Sequence, residues 1–132
     1  MMPEITKRER DCIIALHENN EYPVRLHNIA SMLDIKPPTA HELVDRLISK
    51  NIVEKINGII KLSEEGENLY HEIIMAHRIL EIIMSRNGIN SDIACLQVGK
   101  IDYLMDESSV EKLFSGLGFP INCPHGKPVK PL

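Results

Sequence analysis

Apolar residues recur at three- and four-residue spacing through most of this chain, and the gaps between those stretches hold residues that start and stop helices. Ile13 and Leu16 give a first apolar face. Upstream of it, Thr6-Lys7-Arg8-Glu9 fits a capping box, in which a hydroxyl and a carboxylate satisfy amide hydrogens left open at a helix start. Asn19-Asn20-Glu21-Tyr22-Pro23 stops that helix. Leu26, Ile29, Ala30 and Leu33 then predict a short amphipathic helix over 25–33. Asp34-Ile35-Lys36 connects tightly to Pro37-Pro38-Thr39, where prolines suit a first helical turn because their missing amide hydrogens would go unpaired there anyway. This third helix runs to about Asn51, with Ala40, Leu43, Val44, Leu47 and Ile48 inward and Thr39, His41, Glu42, Asp45, Arg46 and Lys50 outward.

The pattern then changes. Ile52 to Ile56 and Ile59 to Leu62 are β-branched runs separated by Asn57-Gly58, the two-residue signal of a type I′ hairpin. Ser63-Glu64-Glu65 opens a long helix, with carboxylates where the helix dipole favours them, and Asn87-Gly88 ends it after Arg86. Asn90-Ser91-Asp92 caps a further helix expected through about Met105. Ser108-Ser109-Val110-Glu111 is a second capping box ahead of Val110, Leu113, Phe114 and Leu117, closed by Gly118. The fold class expected is mostly α, with a winged helix-turn-helix domain over 1–62, a helical domain over 63–118 and a proline-rich, extended tail over 119–132.

Two short helices joined tightly and followed at once by a hairpin form the winged helix-turn-helix arrangement. A B-DNA major groove admits one helix, whose exposed N-terminal half meets base edges. Pro37, Pro38, Thr39, His41, Glu42 and Arg46 are the candidates for that contact, while Lys36 and the wing residues Lys55 and Lys61 suit phosphates. Net charge is −4 and does not advertise a nucleic-acid partner. Residues 1–62, however, carry nine Lys or Arg against nine Asp or Glu, and the acidic excess sits in residues 63–132. A neutral half can bind double-stranded DNA when its cations line one face, with a modest phosphate contribution. Glu42 and Asp45 on the reading face count against the idea, because carboxylates beside phosphates weaken binding unless a cytosine amino group or an Arg engages them.

Composition adds limits. A chain of 132 residues supports one ordinary domain or a compact domain with a helical extension, and with no Trp and 4% aromatic residues its core must be Ile and Leu. No run approaches the roughly 18 apolar residues of a membrane span, and the N-terminus lacks a signal core, so a soluble cytoplasmic protein is expected. Cys12, Cys95 and Cys123 are odd in number and far apart, which favours reduced thiols or metal ligands over disulfides. Gly-rich phosphate loops, Gly-x-Ser-x-Gly and His-Glu-x-x-His are absent, so an enzyme is not expected.

Ile29-Ala30 to Thr39, the stretch Ala76-His77-Arg78-Ile79-Leu80-Glu81 and the tail segment Cys123-Pro124-His125-Gly126 together resemble the diphtheria-toxin-repressor family of metal-dependent regulators, over roughly residues 6–128. The resemblance implies a homodimeric repressor. Its winged domain would read a palindrome, its later helices would form the dimer interface, and Fe(II) or Mn(II), with Zn(II) also possible chemically, would set the spacing of the recognition helices. His77 and Glu81 match a His and a Glu of the family's ancillary metal site, and Cys95 falls where another His is usual. The primary site is degraded. Its first-helix position corresponds to Cys12, with Glu9 one turn earlier, and its later positions read Gly99, Asp102 and Tyr103. An ion displaced toward Cys95 could still meet Asp102, seven residues on and so on the same helical face. The family's SH3-like domain has no counterpart in these residues. Cys123 and His125 could add ligands, but a packed, rigid strap is the plainer expectation for the tail. Two alternatives stay open: a divergent winged-helix regulator that needs no metal, and a protein-interaction module that does not bind DNA.

Overall fold

Thr6 starts the first helix as its hydroxyl accepts the Glu9 amide hydrogen (3.1 Å) while Glu9 Oε1 accepts that of Thr6 (2.9 Å). The computed structural model describes residues 3–130. They form two compact units, 3–70 and 71–130, dividing inside a long helix rather than at the expected 62/63 boundary. The class is mostly α with one two-stranded sheet, as expected.

In the first unit, α1 (Lys7–Glu18) is followed by α2 (Leu26–Leu33), whose entry is fixed by Asn28 Oδ1 accepting the Arg25 amide hydrogen (2.8 Å). Asp34 turns the chain through the left-handed region (φ 52°) into α3 (Pro37–Ser49), which begins at the paired prolines. Ala40, Leu43, Val44 and Leu47 are buried, whereas Ile48, expected inward, is exposed. It lies a further 100° around from Leu47, off the edge of a stripe the other four already fill. The wing is β1 (Val53–Ile56) paired antiparallel with β2 (Ile59–Leu62), from Val53↔Leu62 to Ile56↔Ile59. Asn57 and Gly58 have φ of 52° and 78°, the two positive values a type I′ turn demands. Arg25 lies beneath this turn, its guanidinium donating to the Asn57 carbonyl (3.2 Å), and a Cβ on Gly58 would come within 2.7 Å of it. Ile13, Leu16, Ile29, Leu43, Leu47, Ile52 and Ile60 are among the most deeply buried side chains, in keeping with the Ile and Leu core that composition required.

Glu9 is fully buried, and both its oxygens accept from Lys50 Nζ, at 2.9 and 3.0 Å. Burial pushes its carboxyl up, but the Lys50 ammonium and the Thr6 cap outweigh that and hold it below the ordinary carboxylate value. A depressed folded value means a contribution fully present above the unfolded carboxyl pKa, about 4.3, and lost as pH falls through the folded one. Lys50→Met therefore removes about 2 kcal/mol at neutral pH, less than the loss for a fully buried pair because Lys50 is partly exposed. The difference from the unaltered protein should shrink as pH falls through the folded Glu9 value, which thermal unfolding followed by circular dichroism at a series of pH values will show.

Ser63 opens α4 (Glu64–Arg86), its hydroxyl accepting the Gly66 amide hydrogen (3.0 Å) and donating to the Asn51 carbonyl (2.6 Å). The helix continues into the second unit. Next, α5 (Ser91–Val98) is capped by Asn90, whose side-chain oxygen accepts from the Asp92 and Ile93 amides. It ends well before the expected Met105. Gly99 caps it, and the chain tightens into a 3-10 turn, Asp102–Leu104, that turns Asp102 inward. Glycine is a poor helix former, and a buried partner for the Asp102 carboxylate outweighs continued helix. The last helix, α6 (Glu107–Gly116), is capped by Asp106 accepting from Ser109 (3.2 Å) rather than by Ser108. Ala76, Ile79, Ile82, Val110, Phe114, Cys123 and Val129 pack as this unit's core. The tail is folded back rather than extended. Asn122 bridges Pro128, Cys123 donates to the Lys127 carbonyl (2.8 Å), and Gly126 turns the chain at φ 78°. Among the described residues no helix is long and apolar enough to cross a membrane.

Candidate metal centre

His77 and Glu81 stand one turn apart on α4 and so share a face. His77 Nε2 lies 2.6 Å from Glu81 Oε1 and 3.4 Å from Cys95 Sγ on α5. On the other side of the ring, His77 Nδ1 is 2.8 Å from Asp102 Oδ2. An ionised Asp102 can accept the Nδ1 proton, the tautomer that would leave the Nε2 lone pair for an ion on the side of the glutamate and the thiol. This is how metal-binding histidines are usually held. The N···S separation is also close to the edge of a tetrahedron, about 3.6 Å, that metal–nitrogen and metal–sulfur bonds of about 2.1 and 2.3 Å generate. The donor types suit a divalent transition ion, for which the 2.6 Å approach of Nε2 to Glu81 would open toward the tetrahedral edge of about 3.4 Å. His77, Glu81 and Cys95, expected from the sequence to act together, are brought within 4.8 Å of one another.

Asp102 reaches the centre through His77, not as the continuation of the α5 face that carries Cys95, since α5 has ended by then. Gly99 is the cap of α5 and Tyr103 is half-buried in the 3-10 turn. Cys12 lies in the other unit. It is fully buried, and burial, followed by the charges of Glu9 and Asp11, pushes its thiol up to about 12. A thiol that keeps its proton is a poor ligand. Cys12 belongs to neither of the donor sets found among the described residues.

The tail supplies what sequence reasoning set aside as a strap. Cys123, His125 and Glu81 form a second set within 4.8 Å of one another. His125 Nδ1 is 2.9 Å from Glu81 Oε2, and its Nε2 is 3.1 Å from Asp92 Oδ1. Its ring N–H groups can donate to Asp92 and Glu81, and these hydrogen bonds, Asp92 first, raise its pKa. The signal in the sequence was the Cys-x-His spacing itself, but only the turn at Gly126 shows that it points both side chains at α4.

Residues 63–131 match the family model described as iron dependent repressor, metal binding and dimerisation domain. The chain belongs to the iron-dependent repressor family. The match spans every donor of both sets, and this is a family of regulators, not of enzymes. An uncharacterized HTH-type transcriptional regulator of Aeropyrum pernix is 34% identical over 110 residues, 81% of this chain and 60% of that protein. The chain thus spans about three-fifths of that relative's length. The crystal structure of a hypothetical protein from Sulfolobus solfataricus superimposes with a TM-score of 0.86 at 31% identity, covering 97% of this chain and 100% of the other. The T. acidophilum IdeR structure matches at 0.67 and 24% identity, covering 97% of this chain and 61% of that one, which is a likeness of fold. The iron-dependent repressor assignment agrees with the family resemblance drawn from the sequence.

In the winged unit, Lys36, Pro37, Pro38, His41, Glu42 and Arg46 are exposed at α3, Thr39 is half-buried, and Lys55 and Lys61 are exposed on the wing. His41 pairs with Asp45 (3.2 Å), so one of the two adverse carboxylates already has a partner. Lys61 Nζ is 4.0 Å from Glu54, a loose pair that leaves the ammonium accessible.

Proposed function

We propose that this chain is a metal-dependent transcriptional repressor that binds a palindromic operator as a homodimer, with the ion held by His77, Glu81 and Cys95. The observation that carries it is the His77 ring, oriented by buried Asp102 so that Nε2 faces a carboxylate and a thiol. An ion there supplies a crosslink between α4 and α5. On this reading Asp102 positions rather than ligates, and Cys12 is a core residue. Of the ions in view, a thiolate in the set favours Fe(II) or Zn(II) over Mn(II), which prefers oxygen donors.

Homodimerisation is supported by the apolar side chains that α5 and the following turn leave exposed, Ile93, Leu96, Ile101 and Leu104, together with the family's dimerisation domain. DNA binding is supported by the exposed outer face of α3, with Lys36 before its first turn and Arg46 in its last, and by the wing lysines Lys55 and Lys61, which together can serve base edges and phosphates.

The test uses reduced, anaerobically purified protein, stripped by chelator or loaded with Fe(II) or Zn(II), and titrated against an operator selected by the loaded form from random duplexes. The loaded form should bind about 10-fold tighter or better, the span of ordinary allosteric coupling. Equal binding by the stripped form would remove the sensor and leave a constitutive regulator.

A further inference from the structure

The first unit carries a cleft of about 420 Å³, formed by the end of α1 and its following loop, by β2 and by the first turn of α4. That volume falls among small-molecule sites, which span about 300–1,000 Å³. Leu16, Val24, Ile60 and Leu62 line it with apolar surface, and all four belong to the core. Around them stand groups of opposite charge, Lys61 on β2 against Glu67 on α4 and Glu21 in the loop. Glu67 is held in place. Its Oε2 lies 2.9 Å from His17 Nδ1, and the His17 ring is stacked on buried Tyr70 with centroids 3.6 Å apart. Oε1 is left to accept a further donor. Lys61 is engaged only loosely, 4.0 Å from Glu54. In the loop, the Tyr22 hydroxyl donates to Asn19 Oδ1 (2.8 Å) and braces the wall on the α1 side.

We propose that this cleft binds a small zwitterion with an apolar body, a free aliphatic amino acid of the leucine type. Its ammonium would meet Glu67, its carboxylate Lys61, and its side chain the surface of Leu16, Val24, Ile60 and Leu62. The charges select this class. A simple anion is repelled by Glu21 and Glu67, and a simple cation gains nothing from Lys61. A zwitterion makes a charge-assisted bond at each end while its body covers the apolar wall. The bracing of Glu67 by His17 lowers the ordering cost of binding. Occupancy has a consequence for DNA, which rests on the reading of Lys61 as a phosphate contact given above. The ligand carboxylate and a phosphate compete for one ammonium, so the amino acid weakens operator binding and the operator weakens amino-acid binding by the same factor.

Calorimetric titration of the full chain with L-leucine, 3-methylbutylamine and 4-methylpentanoate tests the site without DNA. Leucine should bind once per chain, and each analogue, which lacks one of the two charged groups, at least about 10-fold more weakly. Glu67→Gln should weaken leucine by a similar factor while circular dichroism shows it folded. Analogues that bind as well as leucine would reduce the site to an apolar crease and overturn the zwitterion. No heat from leucine, isoleucine, valine or methionine overturns the site altogether, whatever the operator titration gives. Added leucine should then lower operator affinity about 5-fold or more and make its salt dependence shallower by roughly one per chain. Leucine that binds with both quantities unchanged overturns the link to Lys61.

Discussion

Gly66→Ala should destabilise the protein by about 3 kcal/mol, the upper end of ordinary overpacking, and lower its melting temperature by about 10 °C. A Cβ at this position would sit 2.1 Å from the Ile52 carbonyl oxygen and 3.2 Å from a Leu62 methyl. That carbonyl is fixed in place, since it accepts the Ser63 amide hydrogen (2.9 Å) while the Ser63 hydroxyl holds both Asn51 and Gly66. Relieving the clash means separating the start of α4 from the chain entering β1, and so giving up hydrogen bonds in a buried place. Helix propensity alone argues the other way, favouring alanine by about 1 kcal/mol. The sign of the measured change in thermal unfolding is therefore diagnostic: a stabilised variant would mean that the close approach does not exist.

Glu81→Gln should cost at least about 100-fold in metal affinity, beyond the 10- to 100-fold typical of losing a residue that only orients a ligand. Glutamine keeps the size of the side chain, so the helix and its packing survive. It removes the negative charge and turns one of the two acceptors that face His77 and His125 into a donor. Competition with a chromophoric chelator measures the effect. Affinity within a few-fold of the unaltered protein would show that Glu81 is not a ligand. Asp102→Asn makes a useful comparison, because it keeps the donors and disturbs only the tautomer of His77.

The parts of this protein that could be read from its sequence are those set by local chemistry. The Thr6 capping box, the paired prolines of α3, the Asn57-Gly58 turn and the Asn87-Gly88 stop each depend on residues within one turn of one another, and each stands where expected. His77 and Glu81 were legible for the same reason, four residues apart on one helix. The misses come from long-range pairing. Gly99 is a local hint that the chain leaves helical geometry after Val98, but the partner that draws Asp102 inward, the His77 ring, is 25 residues away. Ile48 reads as core until its neighbours are found to have filled the stripe. Cys123 and His125 lie in a proline-rich tail that looks extended, and only a fold-back turn directs them at α4.

The position of Arg25 beneath the wing turn has a mechanical outcome. Because its guanidinium holds the Asn57 carbonyl while its own amide hydrogen is taken by Asn28 in α2, one residue ties the tip of the hairpin to the first helix of the reading pair. Hairpin and helices should then approach a duplex as one stiff tool, and lengthening the turn by a single residue would slacken its grip without touching any residue proposed to meet the bases.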